Sequence, residues 1–186
     1  YGLPLYVPLD ENHPLMGTTP LTQASMATDM LAKSFAQSFA LPIVILRLFP
    51  VLNDETLIDL MHYLCSQKEL KNQYLDLMRE ADLLSCLFQV MQHDDYTGQI
   101  FNVASGSLMS TRFLQRIAAP YTEQLKALHT VHQNRPGYLP IDFQSLLKQW
   151  NGRQGDPEAI ANWTGWKVQH TTPEALKIWV RLHTTR

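Results

Sequence analysis

The chain is poor in cysteine, in long apolar runs and in excess charge of either sign, and each shortage removes a class of protein. Only Cys65 and Cys86 occur among 186 residues, each inside an apolar, helix-like segment. A disulfide framework is therefore excluded, and both thiols read as small core residues of a protein kept in a reducing, cytoplasmic setting. No apolar stretch reaches the roughly 18 to 20 residues that a bilayer-spanning helix needs. The best run, residues 41–52, is interrupted by Arg47. A formal net charge of -2 and a pI near 6.4 argue against an electrostatic grip on nucleic acid or on an anionic membrane, since both need a concentrated basic face. The charged run from Lys68 to Lys71 is short and mixed in sign.

What is present is the composition of a soluble globular domain. Hydrophobic residues make up 45% and charged residues 17%, enough apolar material for a real core. The chain opens on Tyr1 within "YGLPLYVPLDENHPL", which reads as the interior of a protein, so a fragment or a processed chain is expected.

Residues 1–20 are rich in proline, glycine and acidic turns and predict an ordered loop. Residues 22–39 place Met26, Met30, Leu31, Phe35 and Phe39 at the spacing of one helical face. Leu41-Pro42 stops that helix, and "IVILRLF" follows as a continuous aliphatic strand of the kind covered on both faces in a parallel sheet. Two more helices are predicted over residues 57–65 and 82–92. "QIFNVASG" reads as a strand ending in a small-residue turn, and "STRFLQRIAAPY" as a helix capped by Ser110. Residues 126–133 read as a strand, with "NRPGYLP" as the loop after it. The closing stretch predicts a short helix with Asp156 as N-cap and Pro157 at its first position, then a last helix beginning near Pro173. Helix and strand alternate, so the expected class is α/β.

Four segments, in order, resemble the extended short-chain dehydrogenase/reductase family, the NAD-dependent epimerases and dehydratases of nucleotide sugars. "YG" followed by "DENHPL" is similar to the family's "YG … E..P" loop. "LPIVILRLF" resembles its "LP.vilR.fN" strand, and "ADLLSCLFQVMQHDDYTGQIFNVASG" its "v.Dva.a…G..yNvgsG". "GDPEAIANWTGWKVQHTTPEALKIWV" resembles the closing "D..k….LGW.P" region. The resemblance covers almost the whole chain and implies the C-terminal part of a Rossmann-like doubly wound parallel sheet plus a small α/β substrate-binding lobe. On that reading residues 1–53 and about 80–106 form the sheet part, and about 54–79 and 107–186 the lobe. NAD or NADP is implied by the family only. The eight glycines form no G-x-G-x-x-G turn, so the chain alone is not expected to hold the dinucleotide.

The family's chemistry needs a tyrosine with a lysine four residues later, because a phenol with a pKa near 10 becomes a usable base only beside a cation. The expected "P-Y-x-x-S-K-x-x-x-E" falls on Pro20, Leu21, Thr22, Gln23, Ala24, Ser25 and Asp29. Proline and the acidic position match, whereas Leu21 replaces the tyrosine and Ser25 the lysine. No tyrosine anywhere in the chain has lysine at +4.

On the substrate side the resemblance points to Pro50 at the asparagine of "R.fN", to Leu75 ahead of Asp76 and Asp82, and to Arg135 of "NRPGY", with Tyr138 at a ribose-facing position. Leu48 and Phe49 fall at the weak cofactor-side positions. Arg135 reads either as a phosphate contact or as a solvated surface arginine.

His129 and His132 lack a third metal ligand nearby and read as an exposed pair on a strand or loop; no metal is expected. His93 with Asp94-Asp95 reads as a solvated turn. Ser105 and Ser110 flank Gly106 without a G-x-S-x-G elbow. Trp163, Trp166 and Trp179 read as packing the last helix onto the lobe rather than as a sugar platform. Two functions remain open: the substrate-lobe portion of a nucleotide-sugar epimerase/dehydratase, or a catalytically silent relative that binds a nucleotide or a partner protein. A nucleotide-sugar ligand and a homo-oligomer, or a missing N-terminal half as partner, are the expected associations.

Overall fold

The computed structural model describes residues 1–93 and 98–184; the turn expected at Asp94-Asp95 lies outside them. The fold is α/β. After the opening loop come α1 (Pro20–Phe39), β1 (Val44–Leu48), β2 (Val51–Leu52), α2 (Asp54–Ser66), β3 (Tyr74–Asp76), β4 (Met78–Arg79), α3 (Glu80–Met91), β5 (Gln99–Val103) and β6 (Leu108–Ser110). Helices α4 (Thr111–Ala118), α5 (Thr122–Gln133), α6 (Phe143–Trp150), α7 (Glu158–Thr164) and α8 (Pro173–Thr184) complete it.

Strands β1 and β5 pair in parallel with Val44 opposite Gln99 and Leu48 opposite Val103. Because side chains alternate along a strand, one face of this pair presents Val44, Leu46, Phe101 and Val103. These residues join Cys86 and Val90 of α3 and Ile160 and Trp163 of α7 in one apolar cluster. The other face carries Arg47 and Asn102 beneath α1. Helices thus lie on both sides of the parallel pair, as the continuous apolar strand predicts. Short pairs β2–β4 (parallel) and β3–β6 (antiparallel) lead away from it.

The larger core belongs to the helical lobe. There α2 contributes Leu57, Leu60, Met61 and Leu64, α4 Leu114 and Ala118, α5 Leu125, α6 Phe143 and Leu147, and α8 Leu176, Trp179 and Val180. Two buried carboxylates fasten the lobe to the sheet part. Asp82 accepts from the backbone N–H of Gln169 and of His170, 2.9 Å each, and from the Thr171 hydroxyl. Asp76 accepts from the Ser105 N–H and hydroxyl and from the Gly155 N–H at 2.9 Å.

Several elements differ from the sequence expectation. Residues 126–133 are not a strand but the end of α5, since Leu125 and His132 turn inward at helical spacing. His129 and His132 are therefore not an exposed loop pair: both donate through Nδ1 to the buried carboxylate of Asp59, at 2.8 and 3.1 Å. A charge on a neighbouring helix turned two polar residues inward, which pattern reading could not supply. Pro157 rather than Asp156 is the N-cap of α7, with Asp156 accepting from the Glu158 N–H at 2.9 Å. Trp179 packs within the lobe core, whereas Trp166 and Trp163 pack against α3 and β5. Ser110 caps α4 as expected, accepting from the Phe113 N–H.

The largest departure is α1. Of its expected core stripe, Met30 (70% exposed), Leu31, Phe35 and Phe39 face outward, and Phe35 stacks on Phe39 with centroids 5.5 Å apart. The face turned to the sheet is instead Thr22, Met26, Asp29, Ala32 and Ala36. The ion pair Arg47 Nε–Asp29 Oδ2, 2.7 Å long, sets this orientation. A charge within a half-buried strand must find its partner, and that requirement outweighs the apolar stripe.

Candidate functional site

In open α/β folds, ligands bind at the carboxyl ends of parallel strands, and a cleft of about 560 Å³ lies there in this chain. The last residues of β1, Leu46 to Leu48, with Phe49 and Pro50 form its floor. One wall is α1, through Thr22, Ser25, Met26, Thr28 and Asp29. The opposite wall is Gln149 and Trp150 at the end of α6, with Arg153 just beyond. Tyr1, Leu9 and Leu15 of the opening loop close the rest.

The helix wall is positioned by its cap. Thr19 accepts from the Thr22 N–H while the Thr22 hydroxyl reaches back to the Thr19 N–H, a reciprocal pair that fixes the first turn of α1, followed by Pro20 in that turn. The floor is positioned by a polar network. Arg47 donates to Asp29, to the Tyr1 hydroxyl at 3.0 Å and to the Glu11 carbonyl at 3.2 Å. Tyr1 in turn donates to Asn102 Oδ1, and Asn102 donates to the Leu9 carbonyl at 2.8 Å. The loop is thus held against β1 and β5 by side chains spread over a hundred positions.

Electrostatically the cleft is simple. Asp29 is its sole carboxylate among the described residues, and Arg47 neutralises it. Arg153 is half-buried, makes no side-chain hydrogen bond or ion pair among the described residues, and is pushed below the usual arginine range by its burial. Among the described side chains lining the cleft, its guanidinium is the cation without a carboxylate partner. A fork of five donors without an acceptor is a ready partner for a phosphate or carboxylate.

No histidine, lysine or cysteine lines the cleft. Ser25 donates to the Leu21 carbonyl one turn back, at 3.1 Å, and has no base beside it. Burial raises the Tyr1 phenol pKa, with Arg47 opposing, which moves it further from use as a base near neutrality. The arrangement can hold an anion.

Of the residues singled out from sequence, Ser25, Leu48, Phe49 and Pro50 come together in the cleft. Leu21 sits one turn from Ser25 but is 74% exposed and stands outside the lining. Asp76 is buried and bonded as described above. Arg135 pairs with Glu55 on the surface, and Tyr138 lies in the loop beyond it, bonded through its N–H to the Arg135 carbonyl; neither lines the cleft. Sequence reading missed Arg47 and Arg153. Arg47 carried a signal, a lone charge inside an apolar strand. Arg153, two residues before Gly155, carried none.

Gly155, where the backbone makes a very close approach, faces protein: an added Cβ would meet Ala104 at 2.4 Å and the Phe49 ring at 2.7 Å. Among the described residues no group of three or more His, Cys, Asp and Glu side chains is arranged to hold a metal. No described helix is long and apolar enough to cross a membrane.

No protein-family model and no curated protein matches the chain. Solved structures do. An epimerase from Methanothermobacter thermautotrophicus superposes with a TM-score of 0.69 at 17% identity, over 97% of this chain and 55% of its own. A UDP-N-acetylglucosamine 4-epimerase from Bacillus cereus gives 0.67 at 11% identity, over 98% and 59%. RMD from Pseudomonas aeruginosa, solved with NADPH, gives 0.64 at 14%, over 97% and 60%. The chain therefore spans little more than half the length of the structures it matches, and what it shares with them is the fold.

Proposed function

We propose that the chain is the substrate-lobe portion of an epimerase/dehydratase-like protein of nucleotide-sugar metabolism, and that it binds a phosphate-bearing ligand without carrying out the family's proton transfer. The observation that carries this reading is Arg153, a half-buried guanidinium without a partner in a cleft otherwise neutral. An unpaired desolvated cation is costly, and an anionic ligand relieves that cost. The replacement of tyrosine and lysine by Leu21 and Ser25 supports the silent half of the proposal. So does the lining of the cleft, in which no histidine, lysine or cysteine side chain occurs among the described residues.

The division into a sheet part, residues 1–53 and about 80–106, and a lobe, about 54–79 and 107–186, is part of the same reading. The cluster shared by α2, α4, α5, α6 and α8 supports the lobe, although Ile160 and Trp166 pack on the sheet side. The free thiols Cys65 and Cys86 support a reducing, cytoplasmic setting. The outward apolar face of α1 supports self-association or a covering partner, which light scattering would reveal as a species larger than the monomer.

A thermal-shift screen against NAD, NADP and UDP- and dTDP-sugars tests the binding claim, because a ligand of the folded state raises apparent stability. The expected result is stabilisation by at least one sugar nucleotide and none by NAD or NADP. Incubation with both classes together should yield no epimerised or 4-keto product. Turnover would instead favour an active epimerase/dehydratase, and no shift with any sugar nucleotide would remove the reading.

A further inference from the structure

A second concavity, of about 930 Å³, lies on the outer side of the helical lobe and shares no lining residue with the cleft. Lys68 and Lys71, from the loop after α2, form one side; Arg112 and Arg116, a helical turn apart on the exposed face of α4, form the other. Among the described residues Glu69 is the only carboxylate in its wall. None of the four cations makes an ion pair or a side-chain hydrogen bond among the described residues. Arg47, Arg79 and Arg135, by contrast, each have a carboxylate partner.

The juxtaposition is built rather than incidental. Buried Thr111, at the start of α4, accepts from the Gln73 N–H at 3.1 Å and donates to the Lys71 carbonyl at 3.2 Å. Its own N–H donates to the Gln73 carbonyl at 2.8 Å. Gln115 donates to the Leu64 carbonyl at 2.9 Å, pinning α4 to the end of α2. Two basic segments far apart in sequence are therefore locked side by side, in a chain whose formal net charge is -2. Like charges held together raise the local potential, and arginine forks match phosphate oxygens.

We propose that this wall is an anion-binding site for a small molecule carrying two or more phosphate groups. Cations on both sides of one concavity suit a ligand that spans it, whereas a single phosphate would engage one side. The concave shape and the negative charge of the rest of the chain favour a compact ligand over a nucleic-acid strand, which needs an extended basic track.

Calorimetric titration of the whole chain with inorganic tripolyphosphate at low ionic strength tests this. We expect saturable one-site binding that weakens as salt rises. It should weaken by about tenfold or more in the R112Q/R116Q variant, as loss of two charge-assisted contacts requires, and be unchanged in R135Q, whose arginine pairs with Glu55 outside the concavity. Cys65, half-buried in the same concavity, gives a second readout: tripolyphosphate should slow its maleimide labelling in the natural chain and not in R112Q/R116Q. Absence of saturable binding, or full binding in R112Q/R116Q, overturns the proposal. Loss of binding in R153Q instead would move the anion to the cleft, and tighter binding of a single-stranded oligonucleotide would make the wall a nucleic-acid face. Should R112Q/R116Q fail to fold, K68Q/K71Q on the exposed loop carries the same expectation.

Discussion

The helical lobe and the sheet part bury their apolar residues to very different degrees. In the lobe, Leu60, Met61 and Leu64 of α2, Leu114 of α4 and Leu125 of α5 are all fully buried. In the sheet part, α1 turns Met30, Leu31, Phe35 and Phe39 outward, and α3 does the same with Leu84, Leu87, Phe88 and Met91. The last four recur at i, i+3, i+4 and i+7, a complete amphipathic stripe. The helical core is closed upon itself; the sheet part presents two helices whose apolar sides are largely exposed. Contiguous exposed apolar surface marks a contact face. The sheet part supplies the cleft floor and the outward faces.

The widest separation is expected from truncations. Leu60→Ala should cost about 2–5 kcal/mol in denaturant unfolding, because a fully buried leucine leaves a cavity. Phe35→Ser on the outer face of α1 should change stability by about 0.5 kcal/mol or less. Equal losses would erase the contrast between the two regions.

Next in size is the polar clasp of the lobe. Asp59→Ala leaves the Nδ1 donors of His129 and His132 without their acceptor in a buried setting. A loss of about 1–3 kcal/mol follows from the orphaned donors. Asp10→Ala in the exposed opening loop should remain near neutral in the same assay.

In the cleft, Arg153→Gln should weaken binding of a UDP-sugar by about tenfold, or roughly 1.4 kcal/mol, while Arg135→Gln on the lobe surface leaves it within about twofold. The reverse order in calorimetry would transfer the anion contact to Arg135.

The smallest effect is a pH slope. Burial lowers the pKa of His62 below the ordinary imidazole value of 6.5, with His129 adding to the shift and Asp59 opposing it. The folded chain therefore takes up this proton less readily than the unfolded one, so its contribution to stability is present above pH 6.5 and is lost as pH falls below it. His62 also stacks on His129 with centroids 4.3 Å apart. Melting scans from pH 7.5 to about 5 should show a shallower decline in His62→Gln than in the natural chain.

Much of the fold was legible in local pattern. The continuous run at Val44–Leu48 marked a strand with helices on both sides, and Ser110 announced α4 through its capping hydroxyl. The exposed side of α1 was not legible. A helical stripe records that a face is apolar but not what covers it, and the Arg47–Asp29 pair that oriented the helix joins residues 18 positions apart. The same limit turned residues 126–133 from an expected strand into helix, because the buried partner of His129 and His132 is Asp59 on α2. At the cleft, Ser25, Leu48, Phe49 and Pro50 were found from the order of motifs, whereas Arg153 stood in a stretch with no pattern of its own.

The amino-acid sequence by itself determined that the chain has no tyrosine with lysine four residues on and no glycine-rich dinucleotide turn. Folding rearranges side chains but cannot create one that the chain lacks. Only the tertiary structure decided which arginines stay free. Arg135 met Glu55 on the surface, Arg153 was enclosed without a carboxylate, and Arg112 and Arg116 were drawn up beside Lys68 and Lys71. Pairing and burial depend on residues distant in sequence, and they exist only once the chain has closed around them.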